Sequence, residues 1–173
     1  EMMFEQRGER PVPHGTQVSV GTVLVLKLVE ALRRTEVDFD AARAAARAYD
    51  PKVWEAEIRE AYGPAADGIL AMEAQAWKNE TEGRLRRIDT MEAHWGEIDA
   101  LLAALPSSES IMALLRSLES PCLPAEIGVD GKLLKNTFLY CKEVRARYTI
   151  LQLVWDLGLL DRLSDEVIAG LGE

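Results

Sequence analysis

Aromatic residues make up only 6% of this 173-residue chain, and Val, Ile and Thr are sparse outside the stretch from Val18 to Val29. Those residues fill strands, so a β-rich fold is excluded, and the abundant Ala, Leu and Glu point to helices. Cysteine is scarce as well. Cys122 and Cys141 stand too far apart for a CxxC redox pair or a zinc knuckle and read as reduced core thiols, which places the protein in the cytoplasm. Cationic excess is missing: 20 Lys and Arg face 29 Asp and Glu, leaving a formal charge of −9 that repels a phosphate backbone and disfavours nucleic acid as a partner. The longest apolar run, Val18 to Leu26, is too short for a bilayer, so no membrane insertion is expected. There is no basic region followed by an apolar stretch and a small-residue cleavage site. No glycine-rich phosphate loop occurs either, since Gly15 and Gly21 within HGTQVSVG form neither GxGxxG nor a P-loop.

What is present is helical punctuation. The spacing predicts an all-α, multi-helix bundle of about seven to nine helices. Residues 1–15 form a polar, proline-marked leading segment and residues 16–173 one helical domain. From about Thr16 to Arg34, Val20, Val23, Leu24, Leu28 and Leu32 recur at helical spacing in surroundings nearly free of charge, as in a buried central helix. Asp38 or Asp40 caps a short Ala/Arg helix, and Asp50 with Pro51 opens a helix that stops at Gly63. Another covers about Ala65 to Trp77. Asn79 and Glu82 form an approximate capping box for one long helix ending before Pro106. Ser108 starts the next, Asp130 caps one running to about Lys142, and Thr149 with Gln152 is a second box candidate. Gly158 ends that helix, and Ser164 opens the last.

Few residues carry chemistry. His94, in the middle of the long helix, reads as a half-exposed surface residue. His14 stands where an extended segment meets the buried helix, with Gln17, Val18 and Gly21 on its face one and two turns along. On residues alone it is a cap or surface histidine, with a metal ligand as the alternative. Arg145 and Arg147 flank a break before Thr149, where they serve surface ion pairs or reach a substrate phosphate. Asp156, a carboxylate opposing a helix dipole, needs a cationic partner such as one of those arginines. Trp54, Trp77, Trp95 and Trp155 read as core packing, and Tyr140 and Tyr148 have no base or nucleophile signature.

PHGTQVSVGTVLVL near one end and KEVRARYTILQLVWDLGLLD near the other resemble the C-terminal half of sn-glycerol-1-phosphate dehydrogenases, in the iron-containing alcohol dehydrogenase and dehydroquinate synthase-like superfamily. YDPKVWEAEIREAYGPAADGI and LPSSESIMALLRSLESPCLPAEIGVD are similar in spacing, so the likeness covers essentially the whole chain. The resemblance implies a helical domain that works with an N-terminal nucleotide-binding domain to interconvert dihydroxyacetone phosphate and sn-glycerol 1-phosphate, using NADH or NADPH and a divalent metal, zinc or nickel. It places His14 among the metal ligands, with the remaining aspartate and histidine upstream of Glu1. EMMFEQRG looks like the end of a preceding helix, and the chain, which begins at Glu1 and not at a methionine, is expected to be a fragment of a homo-oligomeric enzyme. The alternatives are a free-standing helical interaction module that has lost catalysis, or a glycerol dehydrogenase or dehydroquinate synthase-like enzyme. The face around His14, Val18 and Gly21 is expected to be apolar, exposed and prone to association.

The chain by itself is therefore expected neither to retain a stoichiometric metal through His14 nor to reduce dihydroxyacetone phosphate. Elemental analysis of the purified polypeptide and a nicotinamide-oxidation assay check the two halves of that expectation.

Overall fold

A computed structural model describes residues 12–129 and 131–171. Among them no strand occurs, and ten α-helical segments follow one another: α1 His14–Arg33, α2 Phe39–Arg47, α3 Pro51–Tyr62, α4 Ala66–Ala76, α5 Thr81–Ala93, α6 Trp95–Ala103, α7 Ser108–Ser117, α8 Gly131–Tyr140, α9 Ile150–Asp156 and α10 Leu160–Ala169. Single 3-10 turns sit at Gly63–Ala65, Pro124–Ile127 and Cys141–Val144. Only the first of these turns separates α3 from α4, and only His94 separates α5 from α6. Counted across those two breaks the segments are eight helices, the expected all-α bundle.

Local chemistry explains most of the boundaries. The Asp38 carboxylate accepts the Ala41 N–H at 2.9 Å and caps α2, while Asp50 accepts from Lys52 and caps α3 with Pro51 at its first position. Gly63 (φ 49°) and Gly158 (φ 72°) take the left-handed backbone that ends α3 and follows α9. Thr149 caps α9 through the Gln152 N–H.

Several boundaries differ from the sequence reading, each for a visible reason. α1 begins at His14, two residues early, because the Pro13 carbonyl already accepts from Thr16 and Gln17. Glu80 caps α5 by accepting from the N–H groups of Glu82 and Gly83, whereas Asn79 is turned inward. The single long helix is broken at His94, whose N–H reaches both Thr90 and Met91 carbonyls; Ile88, Met91, Trp95, Ile98 and Leu102 nevertheless keep facing the core. α6 stops at Ala103, ahead of Pro106, and Ser107 caps α7. Ser108 is instead held by Glu30 of α1, which accepts both its N–H (2.6 Å) and its hydroxyl (2.8 Å). Ser164 lies buried inside α10 and opens nothing. The Gln152 side chain turns away from Thr149 into the interior, so no capping box forms there. Asp130 and the EMMFEQRG segment lie outside the described residues.

α1 is the axis. Val20, Leu24, Leu28 and Leu32 meet Ala42 and Ala46 of α2, Ile88 and Met91 of α5, Phe138 of α8, Val154 of α9 and Leu163 of α10. Leu26, Val29 and Ala31 are buried too, so the helix is wrapped on nearly all sides over its C-terminal half. A smaller cluster of Ile58, Tyr62, Ala66 and Ile69 joins α3 to α4, with Trp54 and Tyr140 against it. Cys122 is buried and Cys141 half-buried, both as free thiols.

Two stretches, His14–Arg33 and Trp95–Ser117, are long and apolar enough by composition to cross a membrane, although no single uninterrupted run suggested it. The first is the core helix. The second is interrupted at residues 104–107 and leaves Leu101, Leu105 and Leu114 exposed.

Leu28 is fully buried and Leu114 is not, so the two leucines separate core from surface. Leu28→Ala is expected to destabilise the fold by about 2–5 kcal/mol and Leu114→Ala by less than about 0.5 kcal/mol, as read from urea midpoints.

Candidate functional site

His14 sits in the first turn of α1, exposed, and its ring makes no hydrogen bond or ion pair with the described residues. Side chains added at Gly15 and Gly21 would meet nothing within 4 Å, and Val18 between them is 50% exposed, so the face is open as the spacing suggested. Gln17 donates to the Val12 carbonyl at 2.7 Å and pins the chain just ahead of the helix. Among the described residues no group of three or more His, Cys, Asp or Glu side chains is placed to hold a metal ion. His94 is exposed and bonds Glu97 at 3.1 Å.

Arg145 and Arg147 lie in the short irregular segment between the 3-10 turn Cys141–Val144 and α9, both exposed. Among the described residues the Arg145 side chain donates only to the carbonyl of Val144, and neither guanidinium pairs with a carboxylate or with His14. The expected link from these arginines to Asp156 is therefore corrected. Asp156, fully buried, is held by α5: Arg87 grips it with two N–H groups at 2.6 and 2.9 Å, and the Tyr148 hydroxyl donates at 3.0 Å. Arg84, one helical turn earlier, donates to the carbonyls of Trp155 (2.6 Å) and Asp156 (3.2 Å) and stacks on the Trp155 ring 3.8 Å from its centre. Both guanidiniums thus supply positive charge where a helix C-terminus and a carboxylate bring negative charge together. Burial pushes the Arg84 guanidinium down to about 10, against the pull of Asp156.

A second buried carboxylate lies beside the first. Glu143 accepts from the Asn79 amide nitrogen with both carboxylate oxygens at 3.0 Å, from the Trp54 indole N–H at 3.2 Å, from the Lys78 ammonium at 2.9 Å and from the Lys142 ammonium. Burial raises its affinity for a proton, but Lys142 and Lys78 outweigh that and hold it below the usual carboxylate range. Burial also lowers the Lys142 ammonium, in spite of Glu143. Gln152 bridges the two acids, donating to Asn79 at 3.4 Å and to Asp156 at 3.3 Å. Two buried oxygens, Glu73 Oε2 and Gln152 Oε1, have no hydrogen-bond partner among the described residues. Burial raises the Glu73 carboxyl above its ordinary value.

Above this network opens a cavity of about 410 Å³, lined by Tyr49, Trp54, Arg84, Lys142, Glu143 and Trp155 among others. Its cations are engaged by carboxylates, carbonyls and the Trp155 ring. Cys141 nearby is kept protonated, because burial pushes its thiol up to about 11. Three tryptophans pack as expected: Trp54 against the smaller cluster, Trp95 edge-on to Phe39, and Trp155 edge-on to Tyr49. Trp77 does not, being 70% exposed.

No protein-family model, curated protein or solved structure matches this chain. The residues that sequence reasoning missed are Lys78, Arg84, Arg87, Lys142 and Glu143, and Asn79 was read as a helix cap and not as a buried partner. Arg84 carried a faint signal, since it falls four residues before Ile88 on an otherwise apolar stripe. Nothing local marks Glu143, which is buried only because Lys78, Asn79 and Lys142 converge on it.

Asp156→Ala is expected to destabilise the protein by about 3–5 kcal/mol, because it leaves Arg84 and Arg87 without their carboxylate. Arg145→Ala and Arg147→Ala, measured by the same denaturant titration, should each stay within about 0.5 kcal/mol of the parent. Since the folded state holds the Glu143 carboxyl below its unfolded value, its contribution is complete above the ordinary carboxyl range and is lost as pH falls toward the lower folded value. Glu143→Gln should accordingly flatten the acid limb of a stability-versus-pH curve, and a parallel limb would contradict the assignment.

Proposed function

We propose that this chain is the helical, metal- and substrate-binding domain of an NAD(P)-dependent, metal-dependent oxidoreductase that interconverts dihydroxyacetone phosphate and sn-glycerol 1-phosphate. The resemblance of several ordered segments supports the reading, and the all-α bundle agrees with the domain it implies. The observation that carries it is His14: an exposed imidazole with no hydrogen-bond or ion-pair partner among the described residues, on the first turn of the helix most deeply embedded in the core, beside two open glycine positions. That setting supports a ligand role completed by groups outside the described residues. The described residues alone do not form a zinc or nickel site, and no catalytic step rests on this chain alone. What the chain contributes is a fixed position for one imidazole and, in Arg145 and Arg147, two exposed guanidiniums with no carboxylate partner among the described residues, which suit a substrate phosphate.

The second reading, a helical interaction module, draws on the exposed Val18, Leu101, Leu105, Leu114 and Leu118, whose burial would favour association, including a homo-oligomer. The two readings part on the intact gene product. If it carries a nucleotide-binding domain ahead of this one, His14→Ala should abolish stoichiometric metal and lower turnover of dihydroxyacetone phosphate by at least about 100-fold, while Arg147→Ala raises KM. A gene product without that domain, or a His14→Ala enzyme with full metal and full turnover, sinks the oxidoreductase reading and leaves the module.

A further inference from the structure

Trp77 combines 70% exposure with a left-handed backbone (φ 51°), an unfavourable region for a bulky aromatic residue. The cause lies two residues on: Asn79 turns inward onto Glu143, Lys78 follows it with its ammonium on the same carboxylate, and the indole is left outside. Trp77 borders a groove of about 510 Å³ whose other walls are Lys78, Glu80, Gly83, Arg86 and Arg87. Two guanidiniums converge over Gly83. Arg87 Nη1 and Arg86 Nη2 come within 3.6 and 3.7 Å of the point where a Cβ would stand. Among the described residues neither nitrogen has a hydrogen-bond or ion-pair partner: Arg87 uses its Nε and Nη2 on Asp156 and the Lys78 carbonyl, and the Arg86 side chain makes no such contact. The Glu80 carboxylate is 3.2 Å from the same point, but its oxygens accept the N–H groups of Glu82 and Gly83.

We propose that this groove binds a phosphate ester carried on a planar ring, of which a nucleoside diphosphate is the simplest example. Phosphate oxygens match the paired N–H edges of guanidinium, and here one guanidinium is fixed by Asp156 while its neighbour is free to close. The exposed indole supplies a stacking face for the ring. A long polyanion is disfavoured by the net charge of −9, whereas a mononucleotide fits within the one basic groove. The site is separate from His14 and does not rest on the oxidoreductase reading.

Calorimetric titration of the 173-residue chain with ADP, adenosine, inorganic phosphate and dihydroxyacetone phosphate tests it. ADP should bind saturably with Kd below about 1 mM, and the other three at least about tenfold more weakly, because each lacks the ring or the phosphate. Trp77→Ala and Arg86→Ala, both at the surface, should each weaken ADP by about tenfold. Gly83→Ala puts a methyl group beside both guanidiniums and should weaken ADP as well, but it also stands 3.2 Å from the Glu80 carboxylate that caps α5, so Trp77→Ala and Arg86→Ala decide the test. The proposal is overturned if ADP shows no saturable binding below about 1 mM. It is equally overturned if either surface variant binds ADP as the parent does, if dihydroxyacetone phosphate binds as tightly as ADP, or if a single-stranded oligonucleotide binds more tightly than ADP.

Discussion

Two carboxylates with no access to solvent, Asp156 and Glu143, set the constraint that the rest of the bundle obeys. An isolated buried charge is prohibitively costly, so each acid must be met by cations with good geometry. Asp156 obtains Arg87, Arg84 and Tyr148; Glu143 obtains Lys78, Lys142, Asn79 and Trp54. Every one of those partners except Lys142 and Tyr148 comes from residues 54–87, far along the chain from the acids. The network therefore fastens the C-terminal helices to the middle of the chain, a task that apolar packing alone performs without specifying register.

From that fastening follow the features around it. Asn79 cannot cap α5 because it is committed to Glu143, so Glu80 takes the cap. Trp77 is pushed outward by the same turn. Arg84 satisfies the last carbonyls of α9, which lets that helix end in a buried carboxylate. The cavity beside Trp155 is the space left over where α2, α3 and α9 meet around the network. The polar interior is thus a structural device in the first place, and the open chemistry lies at its edges: His14 at the exposed tip of α1, Arg145 and Arg147 ahead of α9, and the Trp77 groove.

α1 makes the first of those edges useful. Its C-terminal half is gripped on nearly all sides, and rigidity there is transmitted along one continuous helix to the exposed turn that carries His14. The turn that carries His14 is therefore held in a fixed position on the bundle.

The helical class, the central place of Val20 to Leu32, the caps at Asp38, Asp50 and Thr149, and the stops at Gly63 and Gly158 were all legible in the sequence. They depend on neighbours a few residues away: periodicity selects a buried face, a short polar side chain satisfies the first N–H groups, and glycine alone tolerates the left-handed turn easily. Only the tertiary structure decided which cations meet Asp156, that Asn79 is buried and Trp77 is not, and that Arg86 and Arg87 close on one glycine. Those outcomes are set by charges brought together from distant positions, and the cost of leaving a buried charge unpaired has no signature in local spacing.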